Sequence, residues 1–233
     1  MKHARCLGLV GGLGVSATIH YYGNIARALA AEALPLDMVI AHAETGRVFE
    51  YVRAEDRIGL ATYLVGFVDR LKAAGAELAA LPAVTPHFCV RELINLSPLP
   101  ILNIFDPIVH EIESRGLKRV AVFGTRFVIE SRLFGYANNV EFCRPRPEEV
   151  EYINAVYLDL LQQGRGTKEQ FDGLTRLAHS LQQRDNVDAI LLAGTDLTLL
   201  FNETNTDFPY IDCASIHLRH ILDAMLGETT QSL

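Results

Sequence analysis

Short, unbroken apolar runs alternate with segments of helical periodicity along the whole chain, and few folds accommodate that order. LGLVGG closes an apolar run over residues 7–10. Residues 16–31 follow, with Ile19, Tyr22, Ile25, Ala26 and Leu29 at helical spacing. Residues 36–41 are the next run. Residues 58–74 repeat the helical pattern through Tyr63, Phe67 and Leu71 and stop at Gly75. Further runs at 78–82, 101–104, 120–123, 189–192 and 210–211 alternate with helical patterns at 126–136, 150–161, 171–181 and 215–226. A strand that is apolar throughout, and not only at every second residue, is covered on both faces. The expected class is therefore α/β with mostly parallel sheets.

The pattern repeats within the chain. LGLVGG and ALPAVT close strands near Gly11 and Ala83, 72 residues apart, and VAVFGT and LLAGTD close strands near Gly124 and Gly194, 70 residues apart. The expectation is two similar lobes, residues 1–100 with 208–233 and residues 101–207. Ligands of open α/β sheets bind beyond the carboxyl ends of the strands, so the four closing loops are expected to line one cleft between the lobes.

Several function classes are excluded early. A net charge of −7 with no basic cluster argues against nucleic acid as a partner. No run of about 18 uncharged apolar residues is present, so no membrane partner is expected. MKHARCLGLVGG runs into two glycines without a small-residue cleavage site and reads as a strand, not a signal peptide. Cys6, Cys89, Cys143 and Cys213 show no CxxC spacing, so neither a disulfide framework nor a metal site is expected, and the cytoplasm is the natural compartment.

Each closing loop has a bland and a functional reading. Gly11-Gly12-Leu13-Gly14 is a tight turn or an anion site at a helix start. It fits a dinucleotide fingerprint poorly, since the next strand ends in Ala41-His42-Ala43 without an acid. Thr85-Pro86-His87 reads as an N-cap, a first-turn proline and a first-turn residue, and Thr195-Asp196 as a cap followed by an acid near a helix start. Arg126 follows Gly124-Thr125 as a solvated helix residue or a ligand. Arg47 lies in a polar loop, His42 to Arg47, facing solvent or a carboxylate. His217 and His220 read as packed or surface histidines.

Together these loops resemble the aspartate/glutamate racemase family, nearly end to end. VGGLGVSATIHYYGNI is similar to that family's opening GGMGPEATxxYY. LPAVTPH stands where the family has PCNTAH, FGTRFVIES resembles its GTxxT segment, and DAILLAGTDLTLL stands where it has DAVILGCTELPLL. IDCASIHLRHIL is similar to its D-T-x-x-I-H helix. The resemblance implies two lobes related by a pseudo-twofold, an active-site cleft between them, no cofactor, and commonly a homodimer. It implies a small carboxylate ligand, a dicarboxylate or acidic amino acid, beside Gly12, Leu13, Gly14, Ala83, Val84, Thr85, Thr125, Gly194 and Thr195, with Arg47 on the distal carboxylate.

The family racemises with two cysteines, one removing the α-proton and the other delivering a proton to the opposite face. The matching positions here are Ala83 and Gly194, which carry no proton, and Val84 replaces the asparagine. Thr85, His87 and Thr195 remain. Two-thiol racemisation is therefore not expected. Cys89 is expected in the following helix facing the core, and Cys213 beyond the last strand, both as inert small hydrophobes. His87, Asp196 and Glu44 are left as candidate acids or bases. Three readings stand: an isomerase or lyase with altered proton transfer, a catalytically inactive homologue that binds or senses an acidic metabolite, and a slow racemase using some other base.

Overall fold

The computed structural model describes residues 3–131, 133–134, 137 and 140–227. The chain divides into two compact units, Met1–Ile104 with Ser215–Leu233, and Phe105–Ala214. The first contains β1 (Leu7–Gly11), α1 (Val15–Ala31), β2 (Met38–His42), α2 (Thr45–Arg53), α3 (Arg57–Ala73), β3 (Leu78–Ala80), a 3₁₀ turn Thr85–Cys89, α4 (Val90–Leu96) and β4 (Ile101–Leu102). The second contains α5 (Phe105–Ser114), β5 (Arg119–Phe123), α6 (Arg126–Glu130), β6 (Glu141–Cys143), α7 (Pro147–Gln163), α8 (Lys168–Asp185), β7 (Ala189–Leu192), a 3₁₀ turn Thr195–Leu199 and β8 (Tyr210–Asp212). Helix α9 (Cys213–Leu226) starts where β8 ends and belongs to the first unit from Ser215 onward.

Each unit has one four-stranded sheet, ordered β2-β1-β3-β4 and β6-β5-β7-β8, and every pairing is parallel. The two orders coincide when β1–β4 are matched in turn with β5–β8, so the repeat in the sequence is a repeat of topology. The expected lobe boundaries shift at both ends. Ile101–Leu102 pairs with Ala79 and Ala80 in the first sheet, and Tyr210–Asp212 pairs with residues 190–192 in the second. Partner choice assigns these strands, and an apolar run does not carry that information.

Both sheets are covered, as their composition requires. All five residues of β1 are buried, and Tyr21, Ile25 and Leu29 recur every four residues on the buried face of α1. In the second unit Phe123, Ile153, Leu160, Leu174, Leu181 and Ile190 share one core. Each such side chain contributes about 1.5–3 kcal/mol on burial. Capping fixes where helices begin. Asp56 accepts the Gly59 N–H at 2.7 Å to start α3, and Thr167 and Gln170 form a reciprocal box at the start of α8.

The helix expected over 126–136 ends sooner. α6 stops at Glu130, and Ser131 is extended at φ −79°, ψ 160°. The end of that expectation, Tyr136, lies outside the described residues. Among the described residues, no helix is long and apolar enough to cross a membrane.

Candidate functional site

In the first unit the ends of β1 and β2 meet the start of α2. The chain leaves β1 through Gly12 at φ +81°. A Cβ there would run into the Ala43 carbonyl and come within 2.7 Å of His42 Cε1, so glycine alone fits. The Gly12 N–H donates to Thr18 Oγ1 at 3.0 Å, and its carbonyl accepts the Thr45 hydroxyl at 2.6 Å. Gly12 therefore holds the turn with both its polar groups. Gly14 is the N-cap of α1 and supplies no side-chain acceptor. The first turn of this 17-residue helix therefore starts without a side-chain cap.

Arg47 is not in a loop. Thr45 bonds to Gly12, the Glu44 N–H donates to the Tyr63 hydroxyl at 3.0 Å, and these anchors start α2 at Thr45. Arg47 is exposed in its first turn, with the guanidinium carbon 5.5 Å from the centroid of the Tyr63 ring, a cation–π contact that orients it. Glu44 is the exposed N-cap of the same helix.

Beyond β3 the loop closes on itself. The Ala83 N–H donates to Leu81 O at 2.8 Å, and the His87 N–H to Val84 O at 3.0 Å. The N-cap of the 3₁₀ turn is Val84, so Thr85 is its first residue and not its cap. His87 is 1% exposed. Its Nδ1 lies 2.8 Å from Ala83 O, and its Nε2 faces the Ile104 N–H at 3.3 Å. A carbonyl on one side and an N–H on the other put the proton on Nδ1 and the lone pair on Nε2. Both nitrogens are bound to backbone, so His87 braces the loop. His87→Phe is expected to lower unfolding stability by about 3 kcal/mol, through two buried backbone groups left unsatisfied, a loss that urea unfolding would read.

A second buried histidine lies 6.2 Å from that ring. His217 Nε2 donates to Leu102 O at 2.8 Å, and Nδ1 accepts the Tyr21 hydroxyl at 3.2 Å. Burial, with smaller contributions from His87 and His220, pushes its pKa down to about 3.

In the second unit the ends of β5 and β7 are tied together. The Ala193 N–H donates to Phe123 O at 2.8 Å, and a Cβ on Gly124 would sit 2.9 Å from Ala193 O. Thr125 is buried and caps α6, accepting the Val128 N–H at 3.2 Å. Arg126 is held at its N–H by Asn154 Oδ1, at 2.8 Å, and at its guanidinium by Glu151. The turn after β7 starts at Gly194, so Thr195 is again the first residue and not the cap. The hydrogen bonds Ala193 N–H to Leu191 O and Leu197 N–H to Gly194 O repeat those of the first unit's loop. Thr195 corresponds to Thr85 in this pattern, so Gly194 corresponds to Val84 and not to Ala83. Thr195 and Asp196 are each 1% exposed, and Asp196 Oδ2 accepts the Tyr157 hydroxyl at 3.3 Å. Glu151, Asn154 and Tyr157, three residues apart on α7, thus reach both loops of this unit. Their spacing in the sequence is that of any packed helix, and it marks none of them as functional.

Residues 10–221 match the sequence model of the Asp/Glu/hydantoin racemase family. The chain belongs to this family. Its fold is similar to that of a candidate Asp/Glu racemase from Yersinia pestis, at TM-score 0.81 and 24% identity over 95% of this chain and 99% of that one. An aspartate racemase homologue from Pyrococcus horikoshii OT3 gives TM-score 0.76 and 23% identity over 97% and 99%. Unliganded arylmalonate decarboxylase gives TM-score 0.55 and 12% identity over 98% and 94%. At these identities the likeness is one of fold.

The thiols of this racemase-family protein are poorly placed for proton transfer. All four cysteines are free and buried. Burial pushes the Cys6 thiol up to about 11 and Cys89 to about 12, raises Cys143, and holds Cys213 well above its usual value. Thiolate, the reactive form, is therefore scarce at neutral pH at every one of them. Cys89 closes the 3₁₀ turn with its thiol donating to Pro86 O at 3.4 Å.

Proposed function

We propose that this protein binds a small carboxylate, a dicarboxylate or an acidic amino acid, and that it has given up two-thiol racemisation. The observation that carries this reading is the pair Ala83 and Gly194 in the strand-end loops, in a chain whose four thiols are buried and held protonated. The chemistry left open to it is isomerase- or lyase-type proton transfer without paired thiols. Support for carboxylate binding comes from each unit separately: the uncapped start of α1 and the exposed Arg47 in the first, Thr125 and Thr195 at strand ends in the second. A homodimer is part of the same proposal.

A second reading, a binding or sensor protein for an acidic metabolite, is favoured by His87. Its imidazole is held by backbone at both nitrogens, which supports a bracing role over that of an acid or base.

Calorimetric titration with aspartate, glutamate, malate, acetate and phosphate tests the ligand class. Arg47→Ala is expected to weaken dicarboxylates roughly ten- to hundred-fold, the worth of a charge-assisted pair, and acetate by much less. Equal losses for both would place Arg47 away from a distal carboxylate, and the absence of any carboxylate binding would overturn the proposed function.

A further inference from the structure

The backbone of Gly194 does not require glycine. Its φ of −145° and ψ of 117° are ordinary extended values open to any residue. A side chain is excluded by Tyr157. A Cβ built on Gly194 collides with Cε2 of that ring and comes within 2.8 Å of Cζ and 2.9 Å of Cδ2. The ring is fixed from behind, since Tyr157 is 7% exposed within the core formed by Phe123, Ile153 and Leu192. Its hydroxyl reaches Asp196, two residues along the same loop. One side chain of α7 thus contacts both ends of the segment 194–196.

We infer that Tyr157 is a positioning residue for this strand end: its ring takes the volume that a side chain at 194 would need, and its hydroxyl holds the Asp196 carboxylate in place. The loss of a side chain at 194 is then one half of a matched pair. Tyr157 supplies the missing bulk. Burial, with the Asp196 charge beside it, keeps the phenol protonated far above neutral pH, so its hydroxyl serves Asp196 as a steady donor. The steric half of this role stands on the second unit alone. The ligand half rests on the carboxylate binding proposed above.

Two measurements test it. In an extended backbone, Gly194→Ala would be neutral or stabilising if the space beside it were open, because alanine restricts the unfolded chain. With the ring in place it is expected to lower the melting temperature by roughly 3–8 °C. The same substitution made in Tyr157→Leu is expected to cost little, since the shorter side chain clears the Cβ. The second measurement is calorimetric titration with L-aspartate and L-malate, which differ by an ammonium against a hydroxyl and so report how Asp196 is held. Tyr157→Phe keeps the ring and loses the hydroxyl. It is expected to melt within about 3 °C of wild type yet to change the aspartate-to-malate affinity ratio roughly five-fold or more, a shift that packing alone does not produce. A Gly194→Ala protein more stable than wild type overturns the steric role, and an unchanged ratio in Tyr157→Phe overturns the positioning of Asp196. Failure of wild type to bind either ligand overturns the proposed function and the ligand half with it, while the thermal comparison still decides where Tyr157 stands.

Discussion

Incubated with L-aspartate or L-glutamate, the wild-type protein is expected to form no D-enantiomer above the uncatalysed background, and Ala83→Cys with Gly194→Cys is expected to leave it inactive. A general acid or base is typically worth about 10²–10⁴-fold, and under the proposed function neither member of the thiol pair is present. The protein's own thiols are poor replacements, because burial pushes each of them up from its ordinary value. Restoring the two cysteines runs into a specific obstacle at one position. The Tyr157 ring occupies the space of a residue-194 side chain, so a thiol there must displace the ring or be displaced by it. Under the proposed function Ala83→Cys alone supplies one thiol of the pair, which permits exchange of a proton but not inversion. The substitution that makes room is Tyr157→Ala, and the triple variant is the one in which measurable racemisation is expected. Chiral chromatography of the reaction mixtures reads all of these outcomes. Efficient racemisation by the unmodified chain would mean that another residue moves the proton.

The largest effect on stability is expected on acidification. His217 has a folded-state pKa of about 3, against an ordinary value of 6.5. Below pH 6.5 the unfolded chain takes up a proton that the folded chain refuses until about pH 3. The stability tied to His217 is therefore complete above pH 6.5 and lost as the pH falls toward 3. The loss approaches the order of 4 kcal/mol across that window. The groups facing the ring are the Tyr21 hydroxyl, the Leu102 carbonyl, His87 and His220. None of them is a carboxylate that would welcome a charged imidazole. His217→Gln can keep a donor toward Leu102 and carries no titrating group, so its stability is expected to start lower at pH 7 and fall less between pH 6.5 and 4. Urea titrations at several pH values separate the two slopes.

Much of this molecule is legible in the sequence, and the limits have physical causes. The alternation of apolar runs with helical patterns gives the α/β class and the repeat, because strands buried on both faces must be apolar throughout. β6 escapes such a reading. It is three residues long with only Cys143 buried, too short for any period to show. Helix α2 escapes for another reason. Its start is fixed by Gly12 and Tyr63, 33 residues before and 19 residues after the residues they bind, and not by a local cap. Arg47 therefore looks like a loop residue until the fold is known. The first-turn threonines illustrate the same limit at the site. Thr85 and Thr195 have the chemistry of caps, but the turns begin one residue earlier, at Val84 and Gly194. Tyr157 is hidden most completely. In a helical pattern it reads as one more core residue, and its significance comes from a glycine 37 positions away.

Proton NMR of acidic amino acids and dicarboxylates with the protein in D2O tests the central claim most directly, because one spectrum series reports both binding and chemistry. Saturation transferred from protein to ligand signals marks a bound carboxylate, and loss of the α-proton signal marks proton abstraction. The expected result for aspartate and glutamate is saturation transfer with α-proton intensity unchanged over hours. Rapid washout of the α-proton together with appearance of the D-enantiomer would contradict it, and so would the absence of transfer to every carboxylate tried.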